Sequence, residues 1–263
     1  MALSERQQEA IYGLWDELAD FPAARADDAL RHLMKRLADW LDADNVIWVG
    51  AARLARGAAA RRDTMFGWRV LAIRHHHSNP EILARSLQAS RTQETAPALT
   101  SRALAAGAGR LRIHRLYDGF VDVAAMRWTE HYRVTYEEGG VTDRLFAGIP
   151  VNADAESFLL VDRYGDTRFS AGDAGLVEAV MRGLKWFHRE LLLAHGLLLA
   201  GMPLSPAERR IVRLMLTERS EKEIARELGQ SPKTTHKYIT EILRKYGVKG
   251  RIGLMALWLN RRG

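Results

Sequence analysis

Between Ser231 and Gly247 the chain carries Lys233, Lys237, Arg244 and Lys245, interleaved with the hydroxyls of Thr234 and Thr240. Side chains of these types are suited to one job, donating hydrogen bonds and charge to an anionic partner. A lysine can reach the O6 and N7 acceptors of guanine, and Glu241 has the complementary chemistry for the cytosine amino group. Stepping 100° per residue places Lys233, Lys237, Thr240 and Arg244 on one side of a helix, with Glu241 beside them. Thr235, Ile239, Ile242, Leu243 and Tyr246 fall on the other side. One face suits a core and the other an anion, although a merely solvated basic face fits the same pattern.

Other chemistry is sparse. With no cysteine, thiolate metal sites and disulfides are excluded. His75, His76 and His77 suggest a metal, since His75 and His77 share a strand face and Glu81 follows. A histidine run at a strand end is more often solvated, and no metal or cofactor is assigned. Gly107 and Gly109 are too few for a phosphate loop. No nucleophile and base stand at a telling spacing, so the sequence is read as non-enzymatic. Trp48, Trp68, Trp128, Tyr132 and Phe146, with Phe66 and Phe158, are candidates to line a small-molecule pocket, or plain core.

The elements that must position these groups divide in two. Residues 201–263 hold 14 Lys and Arg against 6 Asp and Glu, whereas 1–200 hold 25 against 26. The basic character therefore belongs to the last quarter, a pattern that points to nucleic acid. Gly201-Met-Pro203 reads as a hinge. Beyond it, Ser205 with Glu208 and Ser220 with Glu223 form capping boxes, and Ser231-Pro232 is a third helix start. The expected helices are 206–217, 221–228, 232–246 and 250–261. Each is too short to be stable alone, and they must share one core.

Before the hinge, 4–19 and 26–41 read as amphipathic helices. Runs at 45–51, 67–75, 131–138, 144–151 and 157–164 read as strands. Helices are expected at 80–91 and 95–107, and one long helix at 171–199. The fold class is α+β, an antiparallel sheet flanked by helices over 1–200 and an all-α unit over 201–263. No segment is apolar enough to span a bilayer, and a soluble, cytoplasmic protein is expected.

The C-terminal residues Leu204-Ser-Pro-Ala-Glu208, Ser220-Glu-Lys-Glu-Ile-Ala225, Leu228-Gly-Gln-Ser-Pro-Lys-Thr234 and Ile242-Leu-Arg-Lys-Tyr-Gly-Val248 resemble the DNA-binding domain of LuxR-type regulators. Glu218, Thr235 and Tyr238 depart from that pattern. The resemblance implies that the third helix enters the major groove. Base reading would then fall to His236, Lys237, Thr240 and Glu241. Phosphates would be held by Lys222, Ser231, Lys233, Thr234, Arg244 and Lys245. Ile252, Met255 and Leu259 on the last helix would form the contact of a homodimer. Four phosphates per subunit imply a salt slope of about −7.

The run from Arg144 to Leu184 resembles the closing part of GAF-like sensor domains. That implies a small-molecule effector or a partner protein acting on the N-terminal part. Two alternatives stay open. One is a receptor of the acyl-homoserine-lactone class, of which Trp68 with Asn79-Pro80 is a faint echo. The other is an interaction protein that traps other regulators without binding DNA.

Overall fold

The computed structural model describes residues 3–77, 97–198 and 204–259. The predicted helix at 80–91 and the hinge at 201–203 lie outside them. Helix α1 spans Glu5–Ala19 and opens on a full capping box, with Ser4 Oγ accepting from Gln7 N. Helix α2 spans Ala26–Leu41 and buries Leu30, Leu33, Leu37 and Leu41 at three- and four-residue spacing, and a short α3 spans Gly57–Arg62. Strands β1 (Asn45–Arg53), β2 (Trp68–His75), β3 (Arg112–Arg115), β4 (Asp143–Asn152) and β5 (Ala155–Arg163) form one antiparallel sheet in the order β2-β1-β5-β4-β3.

Alternation along the strands gives the sheet two apolar faces. Val46 and Trp48 of β1, Leu145 and Ala147 of β4, and Leu159 and Val161 of β5 join the main core with α1, α2 and the helices α7 (Ala171–Arg182) and α8 (Lys185–Ala194). On the other face, Phe146, Phe158 and Leu160 meet helix α4 (Leu99–Ala106), the single turns α5 (Val123–Met126) and α6 (Glu130–Tyr132), and a π-helical turn at Arg133–Glu137.

Three expectations are corrected. Residues 131–137 are helical rather than extended. Thr129 caps the turn by accepting from Tyr132 N, and Tyr132 and Tyr136 stack at 4.9 Å, as four-residue spacing on a helix allows. The four-residue edge strand β3 carries too short a pattern to stand out and went unassigned. The single long helix is two, interrupted at Gly183-Leu184. The indole of Trp15 lies against Gly183, so that a Cβ there would sit 2.4 Å from the ring, and Trp15 Nε1 donates to Val180 O at 3.0 Å.

Helices α9 (Pro206–Met215), α10 (Glu221–Glu227) and α11 (Pro232–Tyr246) begin where their caps predict, and α12 (Arg251–Trp258) follows without a side-chain cap. They share a core of Ile211, Met215, Ile224, Ile239, Ile242 and Leu254, which merges with that of α8. Tyr246 donates its hydroxyl to Leu193 O at 2.6 Å, and Arg189 Nη2 donates to Leu257 O at 2.7 Å. The C-terminal unit is thus docked on the sheet domain through apolar burial and long-range hydrogen bonds.

Candidate nucleic-acid interface and sheet-face pocket

Helix α11 is set by its ends. Ser231 Oγ accepts from Thr234 N at 3.1 Å, Pro232 occupies the first turn, and Gly247 closes the helix in the left-handed region at φ 64°. Gly229 at φ 61° makes the turn from α10, and Gln230 N closes it on Ala225 O. The buried face consists of Thr235, Ile239, Ile242 and Tyr246. Thr235 is fully buried, and its hydroxyl donates to Gln230 Oε1 at 3.1 Å. Its departure from the LuxR pattern is absorbed inside the protein and does not alter the outward face.

On that outward face Lys233, Thr234, His236, Lys237, Thr240 and Arg244 are exposed. Lys222 and Ser231 are exposed beside them. His236 Nδ1 lies 3.0 Å from Glu221 Oε2 on α10, a pair with both side chains in solvent. His236 is therefore not part of the packed face of the helix. Arg244 binds Glu241 through two hydrogen bonds of 3.0 and 2.5 Å. Lys245 departs from its expected role. Its ammonium lies 2.7 Å from Glu208 Oε1, and the two side chains are only 11% and 6% exposed. It pins α11 to the capping box of α9 and is not available to a phosphate. The contacts of Glu208 with Lys245 and of Glu221 with His236 were invisible to spacing arguments because the partners lie 37 and 15 residues apart.

On α12, Ile252, Met255 and Leu259 are exposed at 86%, 41% and 68%, while Leu254, Leu257 and Trp258 are buried within the chain. The apolar surplus read from the sequence is divided between the two faces.

A pocket with a cavity volume of about 90 Å³ opens on the sheet face away from the main core. Val49, Met65, Trp68, Leu104, Phe158 and Leu160 are among its walls. Of the seven candidate pocket residues, Trp68 and Phe158 line it. Phe146 and Tyr132 belong to the adjoining apolar cluster on the same face. Trp48 points to the opposite face, fully buried, with Nε1 donating to Ser157 Oγ at 2.9 Å, and Trp128 is 92% exposed. Neither can line this pocket. Both faces of the sheet are apolar, so alternation alone could not say which tryptophan faced which way. Trp68 Nε1 is buried without a hydrogen-bond partner, and the Arg53 guanidinium lies 5.0 Å from its ring centroid. The pocket wall is thus largely apolar. Arg69 beside it is matched by Asp63 at 2.5 Å.

The same face holds two buried ion pairs, Arg112 with Glu156 and Arg144 with Asp162. Burial raises the Tyr136 hydroxyl to about 12, beside Arg144. His76 and His77 rest ring to ring at 4.2 Å, and among the described residues no three His, Asp or Glu gather to hold a metal.

Residues 202–257 match the family of bacterial regulatory proteins, luxR family. This segment is a LuxR-type helix-turn-helix domain. The chain therefore carries the DNA-binding part of a LuxR-type regulator. Over its whole length it is similar to the structure of SdiA in complex with octanoyl-rac-glycerol, at 15% identity, 100% of both chains and a TM-score of 0.51, which shows a shared fold. Escherichia coli SdiA in the space group P6522 gives 16% identity over 96% of each chain at a TM-score of 0.47. The ligand-binding domain of VqsR from Pseudomonas aeruginosa gives 14% identity over 71% of this chain and 96% of that one, at 0.44. No curated protein matches the chain significantly. No described helix is long and apolar enough to cross a membrane.

Proposed function

We propose that the protein is a cytoplasmic, homodimeric transcription regulator in which residues 1–200 form a sensor domain and residues 201–263 read DNA. The supporting observation is the division of α11. One side closes a core, while Lys237 and Thr240 stand exposed, with no carboxylate partner for Lys237 among the described residues. His236, Lys237, Thr240 and Glu241 read bases. Lys222, Lys233 and Arg244 carry charge to phosphates, with Ser231 and Thr234 as neutral donors. The exposed Ile252, Met255 and Leu259 form the contact between subunits.

With Lys245 withdrawn, three cations per subunit remain, and the salt slope expected of a dimer falls to about −5. Replacing Lys237 with alanine is expected to weaken binding to a selected duplex by about 1–3 kcal/mol and to relax the preference at one base position. Fluorescence anisotropy on DNA selected from a random pool checks both values. An unchanged affinity on every duplex favours the regulator-trapping alternative.

The sheet-face pocket is the proposed effector site. Its apolar walls suit a small molecule with an apolar chain. The octanoylglycerol seen with SdiA has that character, as does an acyl-homoserine lactone. Asn79-Pro80, which bears on the lactone reading, lies outside the described residues. Mass spectrometry of organic extracts from the purified protein tests the effector. A GAF-like origin for the sensor is supported by the antiparallel sheet with helices on both sides.

A further inference from the structure

Asp27, in the first turn of α2, is met by the ring of His195 and by arginines from two other elements. His195, just past α8, places Nε2 at 3.0 Å from Oδ1. Arg74, near the end of β2, places Nε at 4.0 Å from the same oxygen. Arg213, on α9 of the LuxR-type domain, places Nη1 at 3.6 Å from Oδ2. Arg209, also on α9, lies within electrostatic reach of both Asp27 and Arg74. The Asp27 side chain is 26% exposed and that of His195 only 1%. The His195 ring rests 4.9 Å from Trp48 of the central strand, and its Nδ1 has no partner. A single carboxylate thus separates Arg74 of the sheet from two arginines of the DNA-binding unit. Without it, like charges would face each other across the junction.

The strand that supplies Arg74 also supplies Trp68, Arg69 and Val70 to the pocket. A shift of β2 on filling that pocket therefore moves a charge that grips the same carboxylate as α9. We infer that Asp27 is an electrostatic bolt that holds the DNA-binding helices against the sensor domain, and that the effector pocket acts on it through β2. The second half of this inference rests on the effector reading above, whereas the first half does not.

The bolt is tested on the full-length protein by amide hydrogen exchange, without DNA or effector. Asp27→Asn is expected to speed exchange in α9 by at least about 3-fold, and Arg213→Ala to do likewise. The double variant should exchange no faster than the faster single variant, because both substitutions break one contact. Arg213 is 40% exposed on the DNA-binding unit, so its variant keeps the sensor core intact if Asp27→Asn loosens α2 as a whole. Unchanged α9 exchange in Arg213→Ala, or additive effects of the two substitutions, overturns the bolt. Coupling to the pocket is tested by adding octanoylglycerol to the wild type. Binding seen by tryptophan fluorescence and accompanied by altered α9 exchange in the wild type, but not in Asp27→Asn, supports the coupling. The same response in both proteins overturns it. Absence of octanoylglycerol binding counts against the effector reading and leaves the bolt to be judged by the α9 data.

Discussion

Replacing Glu156 with alanine is expected to destabilise the protein by about 3–5 kcal/mol, the range for a buried charge that loses its partner. Glu156 is fully buried. It accepts from Arg112 Nη2 at 2.6 Å, from Arg112 Nη1 at 3.3 Å and from Gly109 N at 2.7 Å. Arg112 has nowhere else to go. Its guanidinium lies 5.3 Å from the Phe158 ring centroid and also donates to Leu104 O at 2.7 Å and to Arg110 O at 2.9 Å. Removing the carboxylate leaves those carbonyls in place but strands the positive charge in an apolar layer. Replacing Glu156 with alanine and Arg112 with leucine together should recover most of the loss, since an ion pair of this kind is often matched by apolar packing. Urea unfolding, with the slope held constant, measures both. A loss under about 1 kcal/mol in the single variant would mean that Arg112 reaches solvent.

The second large effect is acid lability in the range where only histidines titrate. His188 is fully buried, both ring nitrogens lack partners, and burial holds its pKa at about 3. His131 is held at about 4, first by burial and then by the charge of Arg144. His195 is also lowered by burial, against the pull of Asp27. In the unfolded chain each takes up a proton near pH 6.5, while the folded form stays neutral well below that. The unfolded state therefore binds more protons. The stability that the neutral rings contribute is complete above pH 6.5 and is lost as pH falls towards 4 and 3. At pH 5 the loss is about 2 kcal/mol for each of His188 and His131. Glu190 and Asp143, raised by burial, act in the opposite sense nearer to pH 4. Comparing His188→Leu with the wild type at pH 7.5 and pH 5 isolates the effect. Equal slopes in the two proteins would show that His188 is not responsible.

What the sequence made legible was local. Ser205 with Glu208, Ser220 with Glu223, and Ser231 with Pro232 each act within four residues, and the three helices start at those points. The strands with strong β-branched runs were found for the same reason, as was the outward set Lys233, Lys237, Thr240 and Arg244. What escaped depended on partners far along the chain. Lys245 is claimed by Glu208, and the break after α7 depends on an indole 168 residues earlier. Residues 131–137 were ambiguous because a seven-residue aromatic run satisfies a strand and a helical turn alike, and only burial of Tyr136 beside Met126 decides between them.

The indole of Trp15 also bears on how the protein is handled. It wedges the joint between the helix that follows the sheet and the helix on which the DNA-binding unit rests. The joint is thus held in part by the first helix of the chain. Deletions that remove this helix are expected to loosen it, and such truncations should be judged by DNA binding as well as by expression.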